Sequence, residues 1–212
     1  MRLVLVVVAL ALLACGGGGD GDGGDAVLSV EDARRAVARA VLDADDLGDG
    51  WDEDGAAEGP LDGCLAGPED VLAEPTTVRF AREVDVFTRT LVTVSTVALE
   101  STGAIDDLFV AFRDDGVGPC VARAVQTDLG DRALDVGEPE VEDDYVVLDG
   151  VRSAHLTVPL RGPRYEIEID VVLVSRGQLA STLVTVQLGG SVDGESVVRW
   201  ASLLADRQRL DT

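Results

Sequence analysis

Few side chains in this sequence could do chemistry, and their placement decides what chemistry that would be. His155 is the only histidine in 212 residues. It lies in Ser153-Ala154-His155-Leu156-Thr157-Val158, where polar and apolar residues alternate, so the imidazole shares the polar face of a strand with Ser153 and Thr157. A catalytic triad needs that ring held between an acid and a nucleophile, and no Gly-x-Ser-x-Gly or other nucleophile turn accompanies it. A solvent-facing strand histidine is the expectation. Further along, Glu166, Glu168 and Asp170 alternate with Tyr165, Ile167 and Ile169, which puts three carboxylates about 7 Å apart on one strand face. Such a face could do acid/base work or hold a ligand or cation under a cleft; a solvated acidic face is the alternative.

Metal chemistry finds little support. One histidine and the cysteines leave no zinc ligand set. Counting from Asp43, carboxylates fall at positions 1, 3, 7 and 12 of a calcium-loop pattern, with Gly48 at position 6. Position 5 is Leu47, however, and position 12 is Asp54 where a bidentate Glu is needed. There is no phosphate-cradling glycine loop and no nucleotide fingerprint, so neither metal nor cofactor is expected. With 40 acidic and 17 basic residues the formal net charge is −23, which repels phosphate backbones and anionic headgroups and argues against nucleic-acid binding. Lys and Asn are both absent, a bias that suits GC-rich coding and leaves no N-glycosylation sequon.

The amino-terminal stretch addresses the protein. Arg2 is followed by twelve uncharged apolar residues, Leu3 to Ala14, the layout of a cleavable export signal and too short for the roughly 20 residues of a membrane-spanning helix. Its end, Leu12-Leu13-Ala14-Cys15, resembles the lipobox of bacterial lipoproteins. That resemblance implies cleavage after residue 14, a diacylglycerol thioether on Cys15, acylation of the palmitate type, and a chain held to the outside of the cell membrane through this lipid. Gly16 to Asp25, GGGGDGDGGD, then reads as a flexible tether with a span of about 18 Å. If Cys15 carries lipid, Cys64 and Cys120 remain to pair, and an even remainder in an exported protein reads as one disulfide. A redox-active thiol pair is the other reading, although neither cysteine lies in a Cys-x-x-Cys motif.

The elements that must position these residues fill one extracytoplasmic α+β domain over 27–212. Ser29 can cap a helix near 30–44, carrying Ala33, Val37, Ala40, Val41 and Ala44 at helical spacing. Trp51 follows the acidic turn and can cover the end of the core. The Gly/Pro/acid-rich composition of 53–77 predicts an irregular segment. Val78–Val86 and Arg89–Leu99 predict a hairpin; Thr102 can cap a helix near 103–114, with a short helical piece over 120–126. From Val136 to Leu188 the turns at Asp149-Gly150, Arg161-Gly162-Pro163-Arg164 and Ser175-Arg176-Gly177-Gln178 divide a four-stranded antiparallel meander with one wet and one dry face. A closing helix near 195–209 presents Val197, Trp200, Ala201 and Leu204 to the dry face.

In that order of elements, in the lipobox and tether, in the helix running into Asp46-Leu47-Gly48-Asp49-Gly50-Trp51 and in the positions of Cys64 and Cys120, the chain resembles actinobacterial envelope lipoproteins and the related extracellular sensor domain of the PknH kinase group. The resemblance implies an α+β extracytoplasmic domain with a central cleft for an unknown ligand. Together these features lead to the expectation of a noncatalytic lipoprotein binding or sensing a small or lipidic ligand between sheet and helices. An envelope interaction module that docks a protein partner without a ligand is the alternative, and a surface hydrolase comes third.

Overall fold

The structure is a computed structural model that describes residues 28–55, 61, 63–65, 70–85, 88–130, 134–163 and 165–209. The expected signal peptide, Cys15 and the tether lie outside these residues. Within them the fold is α+β, an antiparallel sheet packed against helices. The strands are β1 Asp52–Glu53, β2 Val71–Glu83, β3 Arg89–Leu99, β4 Asp135–Val136, β5 Glu140–Asp143, β6 Arg152–Arg161, β7 Glu166–Arg176 and β8 Leu179–Leu188. They run in the order β1-β2-β3-β8-β7-β6-β4, with β5 also pairing with β6. The hairpin and the four-stranded meander (β5 to β8) therefore join through β3 and β8, with Val94 opposite Leu183.

The helices are α1 Val30–Arg39, α2 Ala44–Leu47, α3 Thr102–Phe112, α4 Val117–Asp128 and α5 Gly194–Arg207. They cover both faces of the sheet, which corrects the expectation of one wet face. On the first face, Ile105, Phe109 and Phe112 of α3 and Val121 of α4 pack with Leu156, Val158, Ile169 and Leu173. On the second, Trp51, Trp200 and Leu204 pack with Phe80, Val92, Val172 and Leu183, while Ala33, Ala36 and Val37 of α1 meet Ala98 and Leu179. The run Val171-Val172-Leu173-Val174 is apolar at every position because β7 is buried on both sides.

Local chemistry explains the element ends. The Ser29 hydroxyl accepts from the Asp32 N–H at 3.1 Å as the N-cap of α1, a role worth about 1 kcal/mol. The helix expected to reach residue 44 breaks at Ala40, whose carbonyl accepts from Thr96. Asp43 then starts α2 with a reciprocal capping box: its carboxylate accepts from the Asp46 N–H and the Asp46 carboxylate accepts from the Asp43 N–H. Ser101, one residue before the expected Thr102, caps α3. Pro119 sits in the first turn of α4, where its missing N–H has no helical partner to lose, so α4 starts at Val117 and is longer than the piece expected over 120–126. β2 begins at Val71, inside the stretch expected to be irregular, and reaches the regular hairpin through register shifts around Ala73 and Thr76. Both ends of the described region are fastened to the centre. The Leu28 N–H donates to Gln178 Oε1 (2.8 Å), whose Nε2 donates to the carbonyls of Leu99 and Glu100. Arg207 bonds the Val41 carbonyl and the Asp46 carboxylate, and Gln208 bonds Ser181 Oγ.

Candidate functional site

Alternation along β6, β7 and β8, with Thr157 opposite Asp170 and Asp170 opposite Thr185, brings His155, Thr157, Glu168, Asp170 and Thr185 to the second face of the sheet. There they form one polar stripe. Asp170 is 6% exposed. Its Oδ1 meets His155 Nε2 at 2.9 Å and its Oδ2 accepts from the Thr185 hydroxyl at 3.1 Å. The His155 side chain is 12% exposed because Tyr145 lies over it, ring centroids 4.2 Å apart. The solvent-facing histidine expected from alternation is thus on the polar face but roofed. The loop between β5 and β6 folds back over it, held by the Val146 N–H donating to Ser153 Oγ at 2.8 Å.

The three carboxylates separate in environment. Glu166 is exposed at the strand end, 3.9 Å from Arg161. Glu168 is half-buried, and burial first, then the charge of Asp170, pushes its carboxyl up from the usual range. Asp170 is the member drawn into the core network. Burial, with Asp170 and Glu142 nearby, pushes the Tyr145 phenol up to about 12. Asp170 orients His155 as the acid of a triad would, but both hydroxyls of the network lie on the same side: Thr185 on Asp170, and Thr157 3.4 Å from the same ring nitrogen. The arrangement can fix a tautomer of the imidazole. Among the described residues no group of three or more His, Cys, Asp or Glu side chains is arranged to hold a metal ion.

Cys64 and Cys120 come together, Sγ atoms 2.16 Å apart and Cα atoms 5.5 Å apart, a geometry compatible with a disulfide between the 61–65 turn and the first turn of α4. The acidic turn counted from Asp43 is spent on other work. Asp43 and Asp46 cap α2 and face Arg207 at 3.4 and 2.7 Å. The Asp46 backbone N–H, more than Arg207, holds the Asp43 carboxyl below the usual carboxylate range.

Two spaces open between the sheet and its helices. Between the sheet and α4, a cavity lined by Leu91, Thr93, Val125, Leu129 and Val184 holds about 20 Å³, the room of one water. An open groove of about 630 Å³ runs between α1 and the bulged start of β2, with Arg34 and Val37 on one wall and Leu72, Glu74 and Thr76 on the other. Neither the groove nor the Tyr145 roof was legible in the sequence, since the bulges that open one and the loop that closes the other carry no periodic signal. Two-sided burial of Asp170 was signalled by the unbroken apolar run that follows it.

Among the described residues no helix is long and apolar enough to cross a membrane. No protein-family model matches the chain, and no curated protein does. Among solved structures it is similar to the extracellular domain of PknH from Mycobacterium tuberculosis, at 8% identity and a TM-score of 0.49, over 83% of this chain and 96% of that one, a likeness too remote to transfer any residue's role.

Proposed function

We propose that this chain is a noncatalytic, lipid-anchored extracytoplasmic domain that binds a small ligand. The observation that carries the reading is the groove between α1 and β2: its volume of about 630 Å³ falls in the range of small-molecule sites, whereas the sheet–helix cavity is water-sized. Arg34, Glu74 and Thr76 beside Val37 and Leu72 suit a ligand with both polar and apolar parts. The His155–Asp170 pair fits a structural role better than catalysis, because no hydroxyl approaches the ring from the side away from Asp170 among the described hydrogen bonds. Anchoring rests on the Leu12-Leu13-Ala14-Cys15 sequence, and the Gly/Asp tether would leave the groove, beside the first helix, close to the anchor.

The test is native mass spectrometry of the protein purified from a related host, with extraction of anything bound. A reproducible added mass that disappears in Thr76→Trp, which fills the groove, supports the reading. A mass retained by that variant, or none in either protein, counts against it. For the anchor, Cys15→Ser is expected to abolish lipid labelling and leave the precursor uncleaved. A docking role is the second reading, favoured by β5, an edge strand exposed along its length and carrying Glu140, Glu142 and Asp143. Its signature is capture of a basic envelope protein that weakens as salt rises.

A further inference from the structure

We propose that β5 is the docking edge for a short extended peptide segment in which basic and apolar residues alternate, added antiparallel to the sheet as one further strand. The proposal rests on the docking reading of β5 and is independent of the groove beside α1. Its first support is the backbone. The Asp144 N–H donates to the Ser153 carbonyl at 3.0 Å, and hydrogen-bonded and non-bonded pairs alternate along an antiparallel ladder. Glu142, opposite His155, and Glu140, opposite Thr157, therefore spend their N–H and C=O groups on β6. Those of Val141 and Asp143 point the other way, off the sheet. Among the described residues no strand pairs with β5 on that side, and all four of its residues are exposed. An edge of this kind is a ready template for another strand.

The side chains say which strand fits. Residues opposite one another share a face, so Glu140 and Glu142 stand on the second face with Thr157 and His155, where Glu168 and Asp170 add to the negative potential. Among the described residues neither Glu140 nor Glu142 has an arginine partner. Val141 and Asp143 stand on the first face, where Val141 is 47% exposed and Asp143 is held by Arg113. An added strand thus meets two unneutralised carboxylates on one face and an exposed apolar side chain between them on the other. Residues directly opposite on neighbouring strands interact, and opposite charges there are favourable. Arg or Lys across from Glu140 and Glu142, with Val or Ile across from Val141, is the complement. A second copy of this chain is the wrong occupant, because a net charge of −23 makes two copies repel and the carboxylates of β5 keep it from pairing with itself. The ladder fixes one more feature. Since the Val141 backbone faces outward, the apolar residue across from it is the one whose N–H and C=O complete the bonding; the basic residues turn their own backbone to water.

The probes are two labelled synthetic peptides of one composition with blocked ends, an alternating Arg-Val-Arg-Val-Arg and a reordered Arg-Arg-Arg-Val-Val, added to the full chain in nonionic detergent. Binding is followed by fluorescence anisotropy, and amide exchange is read at Val141 and Asp143. The alternating peptide is expected to bind about tenfold tighter, the worth of one or two backbone hydrogen bonds, and to slow exchange of both amides at saturation. N-methylation of its valine amides is expected to remove that advantage and N-methylation of its arginine amides to leave it, a contrast that needs no variant of the protein. Glu140→Gln together with Glu142→Gln is expected to weaken the alternating peptide about tenfold and to flatten its salt dependence. Equal binding of the two peptides, unprotected Val141 and Asp143 amides, equal effects of the two methylations, or an affinity unchanged in the double variant overturns the added strand while leaving a docking role by other contacts standing. Should neither peptide bind at low salt, the docking reading of β5 falls with it.

Discussion

Trp51 meets Trp200 edge to face, with ring centroids 5.7 Å apart and planes at 89°. Trp51 closes the loop after α2, Trp200 is the inward anchor of α5 at 2% exposure, and Arg82 of β2 lies 4.7 Å over the Trp51 ring. The pair thus locks an amino-terminal turn to the last helix across the second face of the sheet. Trp200→Ala is expected to cost about 3–5 kcal/mol in urea unfolding followed by circular dichroism. In a double-mutant cycle with Trp51→Ala, the coupling is expected to be about 1 kcal/mol, the worth of an aromatic pair beyond its buried area. Additive losses would show that the two rings act independently.

Glu168 gives a pH test with a definite sign. Its carboxyl is raised by burial and then by Asp170, so the folded state binds this proton more tightly than the unfolded chain does. Ionised Glu168 therefore works against folding at neutral pH, and the penalty fades as pH falls through the folded value toward the unfolded one near 4.3. Glu168→Gln is expected to raise the urea midpoint at pH 7.5 and to leave it unchanged at pH 3.5. An equal gain at both values would assign the effect to packing.

Gly118 tests how tightly α4 lies against the segment before β5. A Cβ there would sit 2.6 Å from Pro139 Cγ and 2.7 Å from its Cβ. Alanine favours a helix over glycine by about 1 kcal/mol, yet Gly118→Ala is expected to destabilise by about 1–3 kcal/mol through this overlap. Adding Pro139→Ala should recover much of the loss, and a thermal melt of the three proteins measures it.

The cysteines predict a count. In the processed, folded chain a thiol titration is expected to find none, with Cys15 in a thioether and Cys64 bonded to Cys120. One reactive thiol would leave Cys15 unmodified, and two would remove the disulfide. Replacing Cys64 and Cys120 with Ser is expected to cost about 4 kcal/mol in the chain-entropy model, because the bridge closes a long loop, a sequence separation of 56.

Much of the architecture could be read from periodicity. The α3 stripe Ile105, Leu108, Phe109 and Phe112 and the meander from β6 to β8 lie where spacing placed them. What periodicity could not show was how many sides were covered. Alternation put His155 on a polar face, but whether that face meets water depends on the 144–150 loop folding back, a tertiary event held by hydrogen bonds to Ser153 and by burial of Val146 in the second-face core. The same limit applies to Pro119, which stops one helix or opens the next depending on where the chain turns. The bulges of β2 that open the groove arise where Pro75, lacking an N–H, interrupts regular pairing. Glu166, Glu168 and Asp170 look alike in sequence and end up exposed, half-buried and buried, because burial deepens along β7 toward the centre of the sheet.

The fastening of Leu28 to Gln178 has a mechanical reading. A pull applied at Leu28 is shared with the Gln178 amide, which bonds it to the turn between the two central strands and to the end of β3. A second path, from the Ala40 carbonyl to Thr96, loads β3 crosswise. Tension is delivered to the innermost strands, where several ladders must shear together, and not to an edge that could be peeled one bond at a time.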